Sequence, residues 1–132
     1  MLAADQSGVE SAAERTDRVG GRLAALDLGT NNCRLLVAEP TEPGFRVVDS
    51  FSRIVRLGEG LAASGRLSEL AMVRTLEALK ICRRIMDRHR VTRVRCVATE
   101  ACRRAANGPE FFRRVGRPRS RRNALASRGA DP

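Results

Sequence analysis

Three stretches in the first half of the chain cluster or alternate apolar residues in the way that β-strands require. Residues 23–26 form a short apolar run that ends at Asp27, which is typical of a buried strand. After a turn, residues 33–39 resume as a second strand. Residues 45–57 alternate again and place five apolar side chains on one predicted face: Phe45, Val47, Phe51, Val55 and Leu57. Because only short turns separate these stretches, we predict an antiparallel three-stranded meander.

The next segment has a helical period. Ser68 is a good N-cap and Glu69 stands in the first turn, so a helix is predicted from here to about His89. Apolar residues recur along it at three- and four-residue spacing: Met72, Val73, Leu76, Leu79, Cys82, Ile85 and Met86. Residues 94–98 then form a short apolar strand. A strand–helix–strand connection is right-handed and favours some parallel pairing, so these elements predict an α/β fold.

Two shorter helices are predicted after this fourth strand. Thr99 can cap one that runs through Ala106, and Pro109 is suited to the first position of another. The single histidine, His89, lies where the long helix should end. We interpret it as a cation favoured by a helix C-terminus rather than as a metal ligand or a catalytic base.

The two ends of the chain differ from its centre. Residues 1–21 are polar and contain no apolar core of the kind a secretory signal needs, so we predict a disordered leader. Residues 116–132 are mostly Arg, Ala, Gly, Pro and Ser, and Leu125 is their only large apolar residue. We expect a disordered basic tail there that adds no strand to the sheet. The folded part is therefore predicted to be residues 22–115.

Composition narrows the classes of function. The chain has 132 residues, a formal net charge of +10 and 42% hydrophobic residues, which fits one small folded domain. Its only aromatic residues are four Phe, so no platform for stacking bases is expected, nor a specific nucleic-acid partner. No apolar run is long enough to cross a membrane. We therefore expect a cytoplasmic protein without a membrane partner.

The four cysteines show no CxxC spacing, and a metal or redox site of that type is therefore not predicted. They lie at positions 33, 82, 96 and 102. In the cytoplasm such residues are normally reduced, and we expect buried thiols that behave as small hydrophobes.

The turn after the first strand carries the most informative chemistry. Asp27 ends the strand, and Gly29, Thr30, Asn31 and Asn32 supply main-chain and side-chain donors. A tight turn of this composition can direct N–H groups at an anion, with Gly29 allowing close approach. Asp27 would instead hold a divalent cation or position a water, because its charge repels phosphate. An ordinary hairpin turn that uses Asn for its backbone tolerance explains the same residues equally well.

This stretch, ALDLGTNNCRLLV at residues 25–37, resembles the first phosphate loop of the Ppx/GppA phosphatases, the exopolyphosphatases and guanosine pentaphosphate phosphatases of the actin-like superfamily. Three further blocks resemble the family in the same order: RLGEGL at residues 56–61, GRLS at 65–68 and ATEACRRAANG at 98–108. The resemblance covers residues 22–115. It implies part of an actin-like (ribonuclease H-like) lobe.

The resemblance also implies a function. Water would attack the terminal phosphoryl group of inorganic polyphosphate or guanosine pentaphosphate with Mg²⁺ as cofactor. Asp27 would lie beside the metal or the water, and residues 29–32 would cradle phosphate. Arg103 matches a phosphate-contacting arginine of the family and follows a helix start that also favours anions; a solvated helix face is the alternative. Arg34 is a further candidate, at a position where the family varies, and the family usually has Ser where Asn32 stands here.

Some parts of the family pattern do not occur in this sequence. The segment that carries the catalytic Glu base and the second phosphate loop are both missing. Since phosphoryl transfer depends on positioning and charge stabilisation, we expect little or no activity from this chain alone. We favour the hypothesis that the tail is read from a shifted frame; resequencing that finds no intact downstream frame would disprove it. The alternative is a genuine basic arm that binds polyanions by charge.

Two other functions remain open at this point. One is an ATP-dependent kinase lobe of the same superfamily, and the other is a fragment without catalysis that binds polyanions. A sheet that ends here would also leave an exposed edge and an uncovered apolar face, which favour association into homo-oligomers.

Overall fold

A computed structural model of the chain describes residues 21–116 and 124–127. These residues form five strands and four helices in the following order: β1 (Arg22–Leu28), β2 (Asn32–Pro40), β3 (Phe45–Ile54), α1 (Leu61–Ser64), α2 (Glu69–Arg88), β4 (Val91–Ala98), α3 (Glu100–Arg104), α4 (Gly108–Val115) and β5 (Ala124–Ser127). None of the helices in the described ranges has the length and hydropathy that a bilayer-spanning segment needs.

The strands form one mixed sheet in the order β3-β2-β1-β4-β5. β1 pairs with β2, and β2 with β3, in antiparallel fashion, while β1 and β4 are parallel. The predicted meander, the long helix and the fourth strand are therefore all confirmed. The parallel pair has the expected topology, because α2 carries the chain across from β3 to β4.

The apolar face predicted for β3 is only partly correct. The register places Val37 opposite Asp49 but Ala38 opposite Val47, so Val48 is an extra residue in a β-bulge. A bulge shifts the alternation by one residue, so side chains before it lie on the opposite side of the sheet from the one that an unbroken alternation predicts. Phe45 and Val47 are consequently 71% and 57% exposed, whereas Val48 packs against the core.

β5 is a second correction. We expected no strand after Val115, yet Ala124–Ser127 pairs with Arg95–Ala98 of β4 in parallel. A four-residue strand needs little sequence signal when an open sheet edge supplies its hydrogen-bond partners. The predicted leader lies outside the described residues except for Gly21, as does the rest of the predicted tail except for Gly116.

The core lies between α2 and one face of the sheet. Ser68 caps α2 as predicted, since its Oγ accepts a hydrogen bond from Ala71 N at 3.1 Å. The predicted stripe faces the sheet, although Val73 is 41% exposed and the small residues Ala71, Thr75 and Ala78 are fully buried instead. Small side chains at these positions allow the helix to approach the sheet closely.

Three of the four cysteines are buried as predicted. All four are free thiols; Cys33, Cys82 and Cys102 are buried and Cys96 is half-buried. Cys33 of β2 and Cys82 of α2 have their Sγ atoms 4.0 Å apart. This contact fixes which face of the sheet is covered by α2. We call it the inner face and the opposite one the outer face.

A charged cluster closes the end of the sheet opposite the β1–β2 turn. Asp49 Oδ2 lies 2.8 Å from His89 Nε2 and accepts from Arg88 at 3.0 Å. Arg22 donates to His89 Nδ1 at 3.1 Å, so the neutral imidazole keeps its proton on Nε2. Glu39 is buried between Arg22 and Arg46. His89 is the C-cap of α2, close to the predicted position.

Candidate phosphate-binding site

The turn between β1 and β2 is held by its own backbone and by a second segment. Gly29 N donates to Asn32 O at 2.9 Å, which closes the hairpin. Asn31 O accepts from Val55 N at 2.8 Å and from Arg56 N at 3.0 Å, and Thr30 O accepts from Gly58 N at 2.9 Å. The carbonyl oxygens of the turn are therefore occupied on the side of residues 55–58.

The N–H groups of the turn are used differently. Gly29 N–H serves the hairpin, whereas those of Thr30 and Asn31 donate to no residue that the structure describes. Two successive amides without an internal acceptor are what an anion-binding turn requires. The donor set is therefore smaller than the sequence suggests, because one of the expected amides is committed to the turn itself.

Residues 55–58 approach the turn closely. A Cβ on Gly58 would lie 3.2 Å from Thr30 Cβ, so only glycine fits there without displacement of the turn. Arg56 adopts a φ of 49°, which redirects the chain after β3. The RLGEGL block therefore shapes the turn from outside.

Arg74 on α2 secures this second segment. Its Nε donates to Val55 O at 2.9 Å, and its Nη2 forms an ion pair of 2.6 Å with Glu59. Sequence reasoning missed this residue. The available signal is a single cationic side chain next to the apolar stripe of α2, which is too common to identify a contact to another element.

The start of α3 reaches the same place. Thr99 N donates to Leu28 O at 3.2 Å, so the end of β4 lies beside the end of β1. Thr99 Oγ1 lies 3.2 Å from Cys102 Sγ, as expected of a residue that begins a helical turn. Three chain segments thus converge at one end of the sheet: the β1–β2 turn, residues 55–58, and the β4–α3 junction.

Asp27 and Arg34 stand at facing positions in the ladder between β1 and β2. Paired residues lie on the same side of a sheet, and this side is the outer face, because the neighbouring pairs Leu28–Cys33 and Leu26–Leu35 are on the inner one. Asp27 is half-buried and engaged in an interaction within the protein, while Arg34 is exposed. An acid and a cation therefore flank the turn.

Arg103 lies on α3, four residues after Thr99, and is exposed. No hydrogen bond or ion pair joins its guanidinium group to another residue within 21–116, and its predicted phosphate contact stays a prediction. Glu100 pairs with Arg104 at 3.6 Å, in keeping with a role at the helix start. The structure therefore brings together Asp27, Gly29, Thr30, Asn31, Asn32 and Arg34, and places Arg103 on the adjoining helix.

Comparison with known proteins gives a consistent result. Residues 36–118 match the Ppx/GppA phosphatase family. Exopolyphosphatase 2 of Mycobacterium tuberculosis is 41% identical over 95 residues, which cover 69% of this chain and 30% of that protein. A Ppx/GppA family member from Aquifex aeolicus aligns with a TM-score of 0.72 and 34% identity over 80% of this chain and 35% of its own. An exopolyphosphatase from Cytophaga hutchinsonii aligns with a TM-score of 0.71 and 28% identity.

These matches cover most of this chain but only about a third of the length of those three relatives. They confirm the expected fold, part of an actin-like lobe. The four sequence blocks that suggested the family lie in the segments that converge at the turn or directly beside them. The chain therefore belongs to the Ppx/GppA phosphatase family.

Proposed function

We propose that this chain supplies the phosphate-binding half of a hydrolase that removes the terminal phosphoryl group from inorganic polyphosphate or guanosine pentaphosphate. The observation that carries the proposal is the β1–β2 turn with Asp27 and Arg34 on either side of it. Two main-chain amides without an internal acceptor, those of Thr30 and Asn31, lie between an acid and a cation at the meeting point of three segments. The family relationship supports the same reaction, since the relatives compared above include exopolyphosphatases.

The donors of the turn account for binding. The amides of Thr30 and Asn31 and the side-chain amide of Asn32 would hold the oxygens of the terminal phosphoryl group. Arg34, exposed beside them, would neutralise part of the charge, and a guanidinium can do so through two parallel hydrogen bonds. Arg103 would add a second cation from α3. Charge stabilisation and positioning supply most of the catalysis in phosphoryl transfer.

Mg²⁺ fits this site as a cofactor. Residues 21–116 contain no cluster of three or more acidic, His or Cys side chains that could enclose a metal. Mg²⁺ does not require one, because it is usually held by one or two carboxylates together with substrate phosphates and water. Asp27 is the carboxylate in position, and the hydroxyl of Thr30 is a further oxygen donor. When bound, the ion would neutralise the charge that develops on the phosphate oxygens.

Asp27 would also direct the attacking water, since its carboxylate can accept a hydrogen bond from that water at the flank of the turn. Full turnover additionally needs a base and donors facing the turn, which the family places in later segments. We therefore propose that the isolated chain binds the substrate but releases little orthophosphate.

Calorimetry with tripolyphosphate and Mg²⁺ tests the binding half of the proposal. Asp27→Asn should weaken binding about tenfold, the effect of losing one charged contact of about 1.4 kcal/mol. Asp87→Asn, which removes an exposed carboxylate from the end of α2, is the matched control and should leave the affinity unchanged. Equal effects of the two substitutions, or none from Asp27→Asn, would refute the assignment of the site.

Orthophosphate release from polyphosphate tests the other half. The wild-type chain should release orthophosphate at a rate close to background. Release that is clear in the wild type and absent from Asp27→Asn would show that the described lobe suffices for turnover. It would contradict the proposed inactivity while supporting the site. The same titrations with guanosine pentaphosphate would show which substrate is preferred.

A further inference from the structure

Two cysteines from different elements meet between α2 and the inner face of the sheet. Cys33 lies on β2 and Cys82 on α2, and both are fully buried. Their Sγ atoms are 4.0 Å apart, so one thiol can donate a hydrogen bond to the other. A disulfide bond is about 2.05 Å long, and the two sulfur atoms therefore need to approach by about 2 Å to form one.

This pair differs from the other two cysteines, Cys96 and Cys102. Within residues 21–116, only Cys33 and Cys82 bring two sulfur atoms within hydrogen-bonding distance, whereas Cys102 Sγ has Thr99 Oγ1 as its partner at 3.2 Å. A structural zinc ion needs four ligands, and the same range contains no cluster of three or more acidic, His or Cys side chains that could hold a metal. The pair therefore has the two groups that a disulfide needs and lacks the further ligands that zinc needs.

The contact between the two thiols makes them chemically unequal. The hydrogen bond from Cys82 lowers the pKa of the Cys33 thiol and outweighs the effect of burial, which acts in the opposite direction. The same contact, together with burial, raises the pKa of Cys82. Because the thiolate is the form that reacts with an oxidant, Cys33 is the thiol that reacts first and Cys82 is the one that follows.

We propose that Cys33 and Cys82 are a redox modification site, at which hydrogen peroxide forms a disulfide that links β2 to α2. The Cys33 thiolate attacks one oxygen of the peroxide, so that an S–O bond forms, the O–O bond breaks and hydroxide leaves with the proton that Cys33 gave up, as water. The sulfur of Cys82 then attacks the sulfenic sulfur of Cys33. An S–S bond forms, the S–O bond breaks, and the hydroxide that leaves takes the proton of Cys82. The two thiols lose two electrons in total, and one peroxide is reduced to two water molecules. Hydrogen peroxide is small enough to reach buried thiols through local openings of the fold.

The disulfide would act on the β1–β2 turn, and this consequence rests on the proposed function. Cys33 directly follows Asn32, and its pair with Leu28 is the last one of the ladder before the turn. On the other side, Arg74 of α2 binds the segment of residues 55–58 that holds the turn. Whether β2 or α2 moves to bring the sulfur atoms together, groups that shape the turn are displaced. Oxidation should therefore weaken the binding of phosphate.

Peptide mapping after treatment with hydrogen peroxide tests the modification itself. Trypsin cleaves after Arg and Lys, so the oxidised wild type should yield residues 23–34 joined to residues 81–83, two hydrogens lighter than the separate peptides together. Cys82→Ala should lose the joined peptide. Cys96→Ala, which removes a half-buried thiol from β4, is the matched control and should keep it. The proposal is wrong if the wild type yields no joined peptide, or if Cys96 enters disulfides as fast as the Cys33–Cys82 pair. Circular dichroism checks that both variants fold, and the map of the wild type is decisive even if Cys82→Ala does not.

Calorimetry with tripolyphosphate and Mg²⁺ tests the effect on the turn. The affinity of the oxidised wild type should be about tenfold lower than that of the reduced protein, and dithiothreitol should restore it. Cys82→Ala should bind equally well before and after peroxide. If the joined peptide forms and the affinity does not change, the disulfide does not act on the turn and that part of the inference is wrong. If the reduced wild type does not bind tripolyphosphate at all, the proposed function fails, while the peptide map still decides whether the disulfide forms.

Discussion

Asn107 and Leu67 are joined by two hydrogen bonds through both ends of the Asn107 side-chain amide. Leu67 N donates to Asn107 Oδ1 and Asn107 Nδ2 donates to Leu67 O, each at 2.8 Å. Both residues are buried. The pair ties the segment that precedes α2 to the residue that precedes α4, 40 positions later. It therefore holds the two helices together without a contribution from the sheet.

Asn107→Ala should be among the most destabilising polar substitutions. It leaves a buried N–H and a buried C=O of Leu67 without partners, and each such group costs about 1–3 kcal/mol. We expect the free energy of unfolding to fall by about 2–5 kcal/mol in urea titrations. Asn31→Ala, at an exposed position of the β1–β2 turn, should change it by less than about 0.5 kcal/mol. Similar values for the two variants would show that the Leu67 groups find other partners.

Ser68→Ala should remove the N-cap of α2. Ser68 Oγ accepts from Ala71 N at 3.1 Å, and loss of such a cap costs about 1 kcal/mol. Ser68→Asp should restore most of that stability, because its carboxylate accepts the same bond and suits the helix N-terminus. Thermal unfolding of the three proteins is sufficient to test this. A failure of Asp to rescue the Ala variant would mean that Ser68 contributes something other than a cap.

The charged cluster at the far end of the sheet predicts sensitivity to acid. The hydrogen bond with His89 lowers the pKa of Asp49 below its ordinary value of 3.8, with help from Ser50 N and Arg88. A carboxylate with a lowered folded pKa contributes stability that is fully present above pH 3.8 and is lost as the pH falls through the folded value. Asp49→Asn should therefore flatten the fall in melting temperature below about pH 4. Asp87→Asn should show the same fall in melting temperature at acid pH as the wild type. If the melting temperature of Asp49→Asn falls as steeply as that of the wild type, other groups cause the sensitivity to acid.

Cys96 should react slowly with alkylating reagents although it is only half-buried. Burial raises the pKa of its thiol above the ordinary value of 9.0, and nearby Cys33 adds to the effect. The thiolate is the reactive form, so its fraction at pH 8 is smaller than in an unfolded cysteine peptide and rises about tenfold for each unit of pH. Mass mapping after treatment of the native protein with iodoacetamide measures this rate. A rate at pH 8 equal to that of the peptide would contradict the prediction.

The long helix and the first four strands were predictable because each has its own local signal. The spacing of Met72, Leu76, Leu79 and Cys82 defines α2, and Ser68 marks its start. The bulge at Val48 leaves only an ambiguous signal, since the adjacent Val47 and Val48 break the alternation of residues 45–57 at one point and Arg53 breaks it at another. β5 could not be predicted for a similar reason, because its strand conformation depends on the open edge of β4.

The candidate site likewise has features that the local sequence predicts and others that depend on how the elements pack. Asp27, the turn and Arg34 are contiguous in the sequence, and their proximity follows from a hairpin alone. The carbonyl groups of Thr30 and Asn31 are held by residues 55–58, more than twenty positions away, and Arg74 supports that segment from α2. Such contacts arise from the way the elements pack, so the sequence names the donors of the turn but not what holds it in shape.

The hydrogen bond from Thr99 N to Leu28 O sets an order of assembly. As the chain is synthesised, β1, β2 and β3 can pair with one another because they are consecutive in the sequence. The β1–β2 turn itself can therefore form early. The β4–α3 junction cannot join the site early, because Thr99 follows Leu28 by more than seventy residues and is synthesised only after α2 and β4. The end of the sheet that we propose to bind phosphate is therefore completed only after β4 has been synthesised. A nascent chain halted before Thr99 would carry the loop motif without its complete surroundings.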